Sequence, residues 1–490
     1  MKPFFNPFRF LSLFGSLSGF LLSCPSGYAQ ESKVPFAATP LSDEDKKDLK
    51  PIPQLRPLCP IRLGGVFTMG LGESKQWLEA SAQNSTPITR ENTRWIGENC
   101  DVAAFASVTL NPTTLPTLTY INQLFTPLLF VSSSTLYEGA NHAGNIGGWR
   151  NECRTWTLTD EKGVEIPHPD TGGHWMDFGS LEWAKYWREG VLNEARRFGA
   201  QGVVTSELPL GNTFVGDKPG KYRTMVARGN AQFEWLRAVR AKGQFLMLPS
   251  SLGFEGIVGK PTLPPLPGDA QPDLAGRYWD HFYPYCDGAW CEGWLKPYWS
   301  DDFLPENIRE IQLQAADRTA RSGQTFIAAA AYHDDDELEF LLANYLMVSH
   351  KQGRFVFQPM PQLPFVRADA GMSLKVFQNE IKRHQALFTA PLGYVLQERH
   401  QIKTTIDPSL PSKLQAQAIW RRAFAYGVVY LNSDDTRSAS LLLGSPMHRP
   451  TGEEVSKIQL PPRSGIILLY NREASNSNAP SKAIRVQKKE

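Results

Sequence analysis

Eight short apolar runs separated by amphipathic stretches constrain this chain more than any other feature. They are RLGGVFTMG (62–70), VAAFASVTL (102–110), PLLFVSSS (127–134), GVVTSE (202–207), QFLMLPSS (244–251), DGAWCEGW (287–294), TFIAAAAY (325–332) and RFVFQPM (354–360). Several are apolar without strict alternation, the pattern of strands covered on both faces. Between them, Ser180 is positioned to cap a helix that carries Trp183, Trp187, Val191, Ala195 and Phe198 at helical spacing and stops at Gly199. A second helix is expected from about Lys221 to Lys242, and a third from Pro305 to Gly323 with Ile308, Ile311 and Ala315 on one face. A fourth should run from about Asp335 to His350. Eight strands alternating with helices predict a (β/α)8 TIM barrel over 61–392. An insertion at about 139–179 carries its own hairpin signal, TWTLTDEKGVEI, turning at Glu161-Lys162-Gly163. A doubly wound sheet fits less well, because no GxGxxG or GxxxxGK(S/T) turn follows a strand.

After about Pro391 the texture changes to the runs YVLQER, AIWRRAFAYGVVYLN, ASLLLG, SKIQL and GIILLY, broken by turn residues. They predict a small all-β sandwich over 393–472, whose plainest role is to pack on the barrel. Residues 1–29 read as an export signal: Lys2 and Arg9 precede the apolar FLSLFGSLSGFLLS, with small residues at Gly27 and Ala29. A lipoprotein anchor at Cys24 is the minor alternative, disfavoured by Pro25. The reading is therefore an exported protein, periplasmic or secreted, with a Pro- and charge-rich linker over 30–60 and a disordered tail over 473–490. Five cysteines remain after the signal, an odd number that leaves at least one thiol outside any intramolecular bridge; a Cys59–Cys100 bridge is one pairing to test.

Charge bears on partners. The formal net charge of +2 belongs to Lys2 and Arg9, and the body of the chain has no basic tract, so nucleic-acid binding is not expected. No CxxC or HxH pair suggests a metal, and neither metal nor organic cofactor is expected. The 13 tryptophans are the compositional excess, and aromatic planes suit the C–H faces of sugars.

In a barrel of this kind the chemistry sits at the C-terminal ends of strands. Two strand-like runs end in a carboxylate: the fourth at Glu207 and the sixth at Glu292. Strands two apart lie about 10 Å from one another, so inward-leaning carboxylates there fall within the roughly 5–9 Å used to break glycosidic bonds. That reaction needs a neutral acid to protonate the leaving oxygen, and an anion to attack the sugar or activate water. Trp290 and Trp294 would supply an apolar wall that raises the Glu292 pKa and stacks on sugar. Trp175 and Asp177 from the insertion, and Tyr332 and Asp334 after the seventh strand, are further candidates for substrate binding, as are Trp149, Trp299, His333, Asp170 and His174. Asp334 also reads as a plain solvated helix start. Asp287, at the start of the sixth strand, is placed to tie down structure at the far end.

The run MDFGSLEWAKYWREGVLNEARRFGAQGVVTSE, followed by YCDGAWCEGWL and later by LPPRSGIILL at 460–469, resembles the bacterial hypothetical glycosyl hydrolase-like families. The resemblance spans about residues 60–470 and implies a TIM-barrel catalytic domain, a C-terminal β-module and a carbohydrate substrate. Many such relatives carry Asp where this chain has Ser206-Glu207. By analogy with α-galactosidase-like barrels, the resemblance implies Glu207 as nucleophile and Glu292 as acid/base in a retaining mechanism, an inverting one being the variant. Two rivals use the same scaffold without chemistry: a glycan-binding protein and a cell-surface assembly protein.

Overall fold

All eight runs form neighbouring parallel strands. The computed structural model describes residues 41–47, 49, 51, 59–67, 88–136, 151–160, 162–166, 173–206, 225–240, 245–249, 285–296, 300–350, 354–362 and 374–471. Segment 1–29, most of 30–60, the tail 473–490, Glu207, Trp149, Asp170 and Trp299 lie outside the described residues. The barrel strands are β1 (Leu63–Phe67), β2 (Cys100–Ala106), β3 (Thr126–Ser132), β4 (Gly202–Ser206), β5 (Leu246–Pro249), β6 (Gly288–Cys291), β7 (Thr325–Tyr332) and β8 (Arg354–Pro361). Their order is β5-β4-β3-β2-β1-β8-β7-β6, parallel throughout.

Side chains complete the cylinder where the backbone ladder is thin. At the β5–β6 seam Asp287 N donates to Met247 O (2.9 Å), and its carboxylate accepts from Met247 N (3.1 Å) and from Arg240 (3.1 Å). Asp287 thus joins two strands as a ladder residue would. Burial pushes its carboxyl above the usual range, against the opposing pull of Arg240 and the Met247 N–H. On the other side, β1 and β8 share the single pair Leu63–Phe357. Further along, Gln358 Oε1 accepts from Val66 N (3.1 Å). Gly65 makes room for that side chain, since a Cβ there would lie 2.9 Å from it.

The outer ring contains α1 (Arg90–Asn99), α2 (Thr114–Ile121), α3 (Leu181–Phe198), α4 (Met225–Val239), α5 (Glu306–Arg321), α6 (Asp335–Val348) and α7 (Leu374–Arg383). α3 begins and ends as its sequence predicts: Ser180 accepts from Trp183 N (3.2 Å), and Gly199 is left-handed at φ 75°. Its Trp183 and Trp187 are buried core, and their indole N–H groups donate to Ser133 O (3.1 Å) and Ser132 O (2.8 Å) at the end of β3. At the base of the insertion Thr135–Leu136 pairs with His174–Trp175, and within it a Thr159–Glu165 bridge closes a hairpin around Gly163 at φ 78°.

The C-terminal module is one six-stranded antiparallel sheet: β9 (His400–Lys403), β10 (Ala418–Phe424), β11 (Gly427–Asn432), β12 (Ala439–His448), β13 (Glu454–Leu460) and β14 (Ser464–Tyr470), in the order β9-β10-β11-β14-β12-β13. Strand alternation divides its central strands between two cores. Val428, Tyr430, Ile466 and Leu468 join the module's own core, while Val429, Leu431 and Ile467 join the barrel's. This explains why GIILLY is apolar at every position. The barrel's partner in that packing is α6, whose residues Leu338 to Val348 are all buried. A helix apolar on every side must be covered on every side. Glu339 on α6 accepts from Ile467 N (3.1 Å), and the buried Arg422 donates to Leu346 O (2.8 Å).

At Gly465 the module's backbone comes close against α6: a Cβ there would lie 2.3 Å from Ala343 Cβ. Gly465→Val should therefore lower stability by about 1–3 kcal/mol, read as a lower urea midpoint, because both neighbours belong to well-packed elements. A second expectation concerns acid. Burial raises the Asp317 pKa, but hydrogen bonds from His350 (2.6 Å) and Arg321 (2.8 Å) overcome this and hold it at about 2. A depressed folded pKa means the stabilisation is fully present above the unfolded value of about 3.9 and is lost as pH falls through about 2. Urea titrations between those limits should show a loss of up to about 2 kcal/mol that Asp317→Asn removes.

None of the five described cysteines forms a disulfide, so the Cys59–Cys100 bridge is not made. Cys59 Sγ instead donates to Phe388 O at 3.1 Å. Among the described residues no helix is long and apolar enough to cross a membrane.

Candidate active site

Strand β6 carries the described candidate carboxylate, and alternation fixes what faces the barrel interior. Trp290 meets Phe130 of β3 edge-on at 6.0 Å. Strands β3 and β6 are not neighbours, so rings that touch must meet inside the cylinder. Cys291 points the other way, with Gln312 of α5 at 3.7 Å from its Sγ. Glu292 follows directly after the strand, as the first residue of the turn at its C-terminal end, and is half-buried.

The turn after Glu292 is held at each residue. Gln312 is buried at 1% exposure; its Oε1 accepts from Leu295 N (2.6 Å) and its Nε2 donates to Gly293 O (3.3 Å). Trp294 N donates to Ala329 O (3.0 Å) of β7, and Leu295 O accepts from Leu304 N (2.9 Å). Leu295 itself is left-handed at φ 63°, a conformation that costs a non-glycine residue about 1 kcal/mol or more. Lys296 is fully buried and donates to both oxygens of Glu337 (2.7 and 2.6 Å), with Phe303 beneath its ammonium at 5.2 Å.

Most of the expected substrate-binding residues have other work. Trp290 and Trp294 are both 0% exposed. Trp290 fills the barrel interior, while Trp294 packs edge-on against Phe355 (5.9 Å) and Phe357 (6.3 Å) on the helix side. Neither offers an open face to a sugar, which corrects the expectation of a stacking wall. Trp175 is buried with Leu158 and Ile166 in the insertion's small core. Asp177 accepts from Gly179 N (2.8 Å), an Asx turn leading into α3. Tyr332 is buried, and its hydroxyl donates to Glu380 of α7; burial first, then Glu380, pushes its pKa far above the usual value. Asp334 caps α6 by accepting from Glu337 N (2.9 Å), the plain reading of that residue. His333 is half-exposed and lies 3.3 Å from Asp301. His174 pairs with Glu165 in the insertion.

Three features were missed in the sequence: Gln312, the Lys296–Glu337 pair, and the cluster of Tyr332, Glu380 and His384 behind β7. Gln312 had a signal, since it sits one turn after Ile308 and before Ala315 and Ala316 on the buried helix face, where an amide must have a partner. Among the described residues no group of three or more His, Cys, Asp or Glu side chains is arranged to hold a metal.

No family model matches the chain, and no curated protein does. Among solved structures, it is similar to the noncanonic maltogenic α-amylase AmyB from Thermotoga neapolitana, with TM-score 0.42, 10% identity, and coverage of 84% of this chain and 98% of that one. A pullulanase from Anoxybacillus sp. LM18-11, complexed with maltotetraose, gives TM-score 0.44 and 9% identity over 88% of this chain and 74% of that one. The α-amylase GTA from Geobacillus thermoleovorans, complexed with acarbose, gives 0.41 and 9% over 85% and 100%. Likeness at that distance carries no weight for chemistry. The barrel assignment stands on strand order and register, and the site on its side chains.

Proposed function

We propose that the protein is an exported glycoside hydrolase that cleaves an oligo- or polysaccharide with two carboxylates, Glu292 as the acid/base and Glu207 as the nucleophile of a retaining mechanism. The observation that carries this reading is Glu292: a half-buried carboxylate directly after the C-terminal end of a barrel strand, opening a turn whose backbone is held at the following three residues. Pre-organised placement of this kind is what general acid catalysis requires. Glu207 enters from its place in the sequence directly after β4, which β5 separates from β6. The buried tryptophans leave sugar recognition to residues other than Trp290 and Trp294.

The test is release of nitrophenol from a panel of aryl α- and β-glycosides, with reducing ends from polysaccharides measured alongside. Cleavage that Glu207→Gln and Glu292→Gln each suppress, with folding unchanged, supports the reading. Retained glycan binding without cleavage by the wild-type chain would instead identify a non-catalytic glycan-binding barrel.

A further inference from the structure

We infer that Gln312, on α5 and outside the barrel, is a positioning residue that sets where the Glu292 carboxylate stands. The role given to Glu292 rests on the hydrolase reading; the claim that Gln312 holds its turn does not.

β6 ends at Cys291, and within five residues the chain must bring Glu292 to the rim, bury Trp294 on the helix side and bury Lys296 against Glu337. The turn passes through Leu295 at φ 63°, which a non-glycine side chain adopts only when its surroundings hold it there. The hold on its N–H is the Gln312 carbonyl at 2.6 Å. The same amide donates to Gly293 O at 3.3 Å, so one buried side chain fixes the two peptide groups flanking Trp294. Both positions lie within three residues of Glu292. A side-chain amide supplies both an acceptor and donors without charge at one such point. Glutamine on the buried face of α5, beside Ile308, Ala315 and Ala316, is then explained by the turn it serves and not by the helix. If the turn relaxes, the carboxylate moves with it, and a displacement of about 1 Å can cost a catalytic group about a hundredfold in rate.

The test compares Gln312→Met, which keeps the volume but removes both bonds, with Gln312→Glu, which keeps the acceptor for Leu295 N–H. Leu313→Ala, a buried neighbour on the same helix, controls for lost packing. Amide hydrogen exchange is followed by mass spectrometry on peptides covering 292–296. Steady-state kinetics are taken on whichever aryl glycoside the wild type cleaves. In Gln312→Met, exchange at Leu295 should accelerate about tenfold, the effect of losing one hydrogen bond. Its kcat should fall about ten- to a hundredfold with KM little changed. Gln312→Glu should recover part of both, and Leu313→Ala should show neither at temperatures well below its unfolding. Unchanged exchange at Leu295 in Gln312→Met, or an equal kcat loss in Leu313→Ala, overturns the inference. If the wild type cleaves no glycoside, the hydrolase reading falls by itself, and the exchange measurement still decides whether Gln312 holds the turn.

Discussion

Glu292→Gln is expected to reduce hydrolysis of unactivated glycosides about 10²–10⁴-fold, the usual weight of a positioned acid. The amide is nearly isosteric with the carboxyl group, and Glu292 is only half-buried, so the unfolding midpoint should hardly move. What separates an acid from a nucleophile is dependence on the leaving group. A dinitrophenolate departs without a proton, so Glu292→Gln should lose far less rate in forming the glycosyl-enzyme from a dinitrophenyl glycoside than from an alkyl one. Glu207→Gln should lose heavily on both, because no covalent intermediate forms without the nucleophile. Equal losses for Glu292→Gln on the two substrates would remove it from the acid's role.

Trp290→Ala carries the largest stability effect expected here, a loss of about 3–5 kcal/mol, because a fully buried indole leaves a cavity that the barrel closes only in part. The ring spans the interior to Phe130, so its removal deprives a non-neighbouring strand of contact as well as its own. Trp290→Phe should recover much of the loss. A sugar-stacking residue would behave in the opposite way, with KM raised and the urea midpoint unchanged. Chemical denaturation and glycoside kinetics on the same two variants decide between these outcomes.

The eight strands were legible because each is a run of four to eight apolar residues bounded by turn or helix signals. Helices α3 to α6 were legible from spacing and caps. Helices α1, α2 and α7 were not anticipated. α2 is only eight residues long and contains Pro116 and three threonines, so local propensity says little and packing against its neighbours decides. The candidate site was legible in one respect, that a carboxylate at 292 ends a barrel strand. The surrounding roles were not. Trp290 and Trp294 stand four residues apart in one motif, yet one lies inside the barrel and the other outside it, because the strand ends at Cys291 and the chain turns at Glu292 and Gly293 between them.

What the sequence determined by itself is therefore periodic: parallel strands covered on both faces, helices with one buried stripe, and a module of antiparallel strands after residue 393. These follow from residue spacing, which the backbone geometry of helix and strand reads directly. Only the tertiary structure decided which aromatic rings are core, that Asp287 and Gln358 seal the barrel seams, and that Gln312 reaches the turn after Glu292. Each of those depends on a partner 20 or more residues or a whole element away, or on one backbone dihedral. Hydrophobic pattern says that a side chain is buried, and only the packed neighbours say against what.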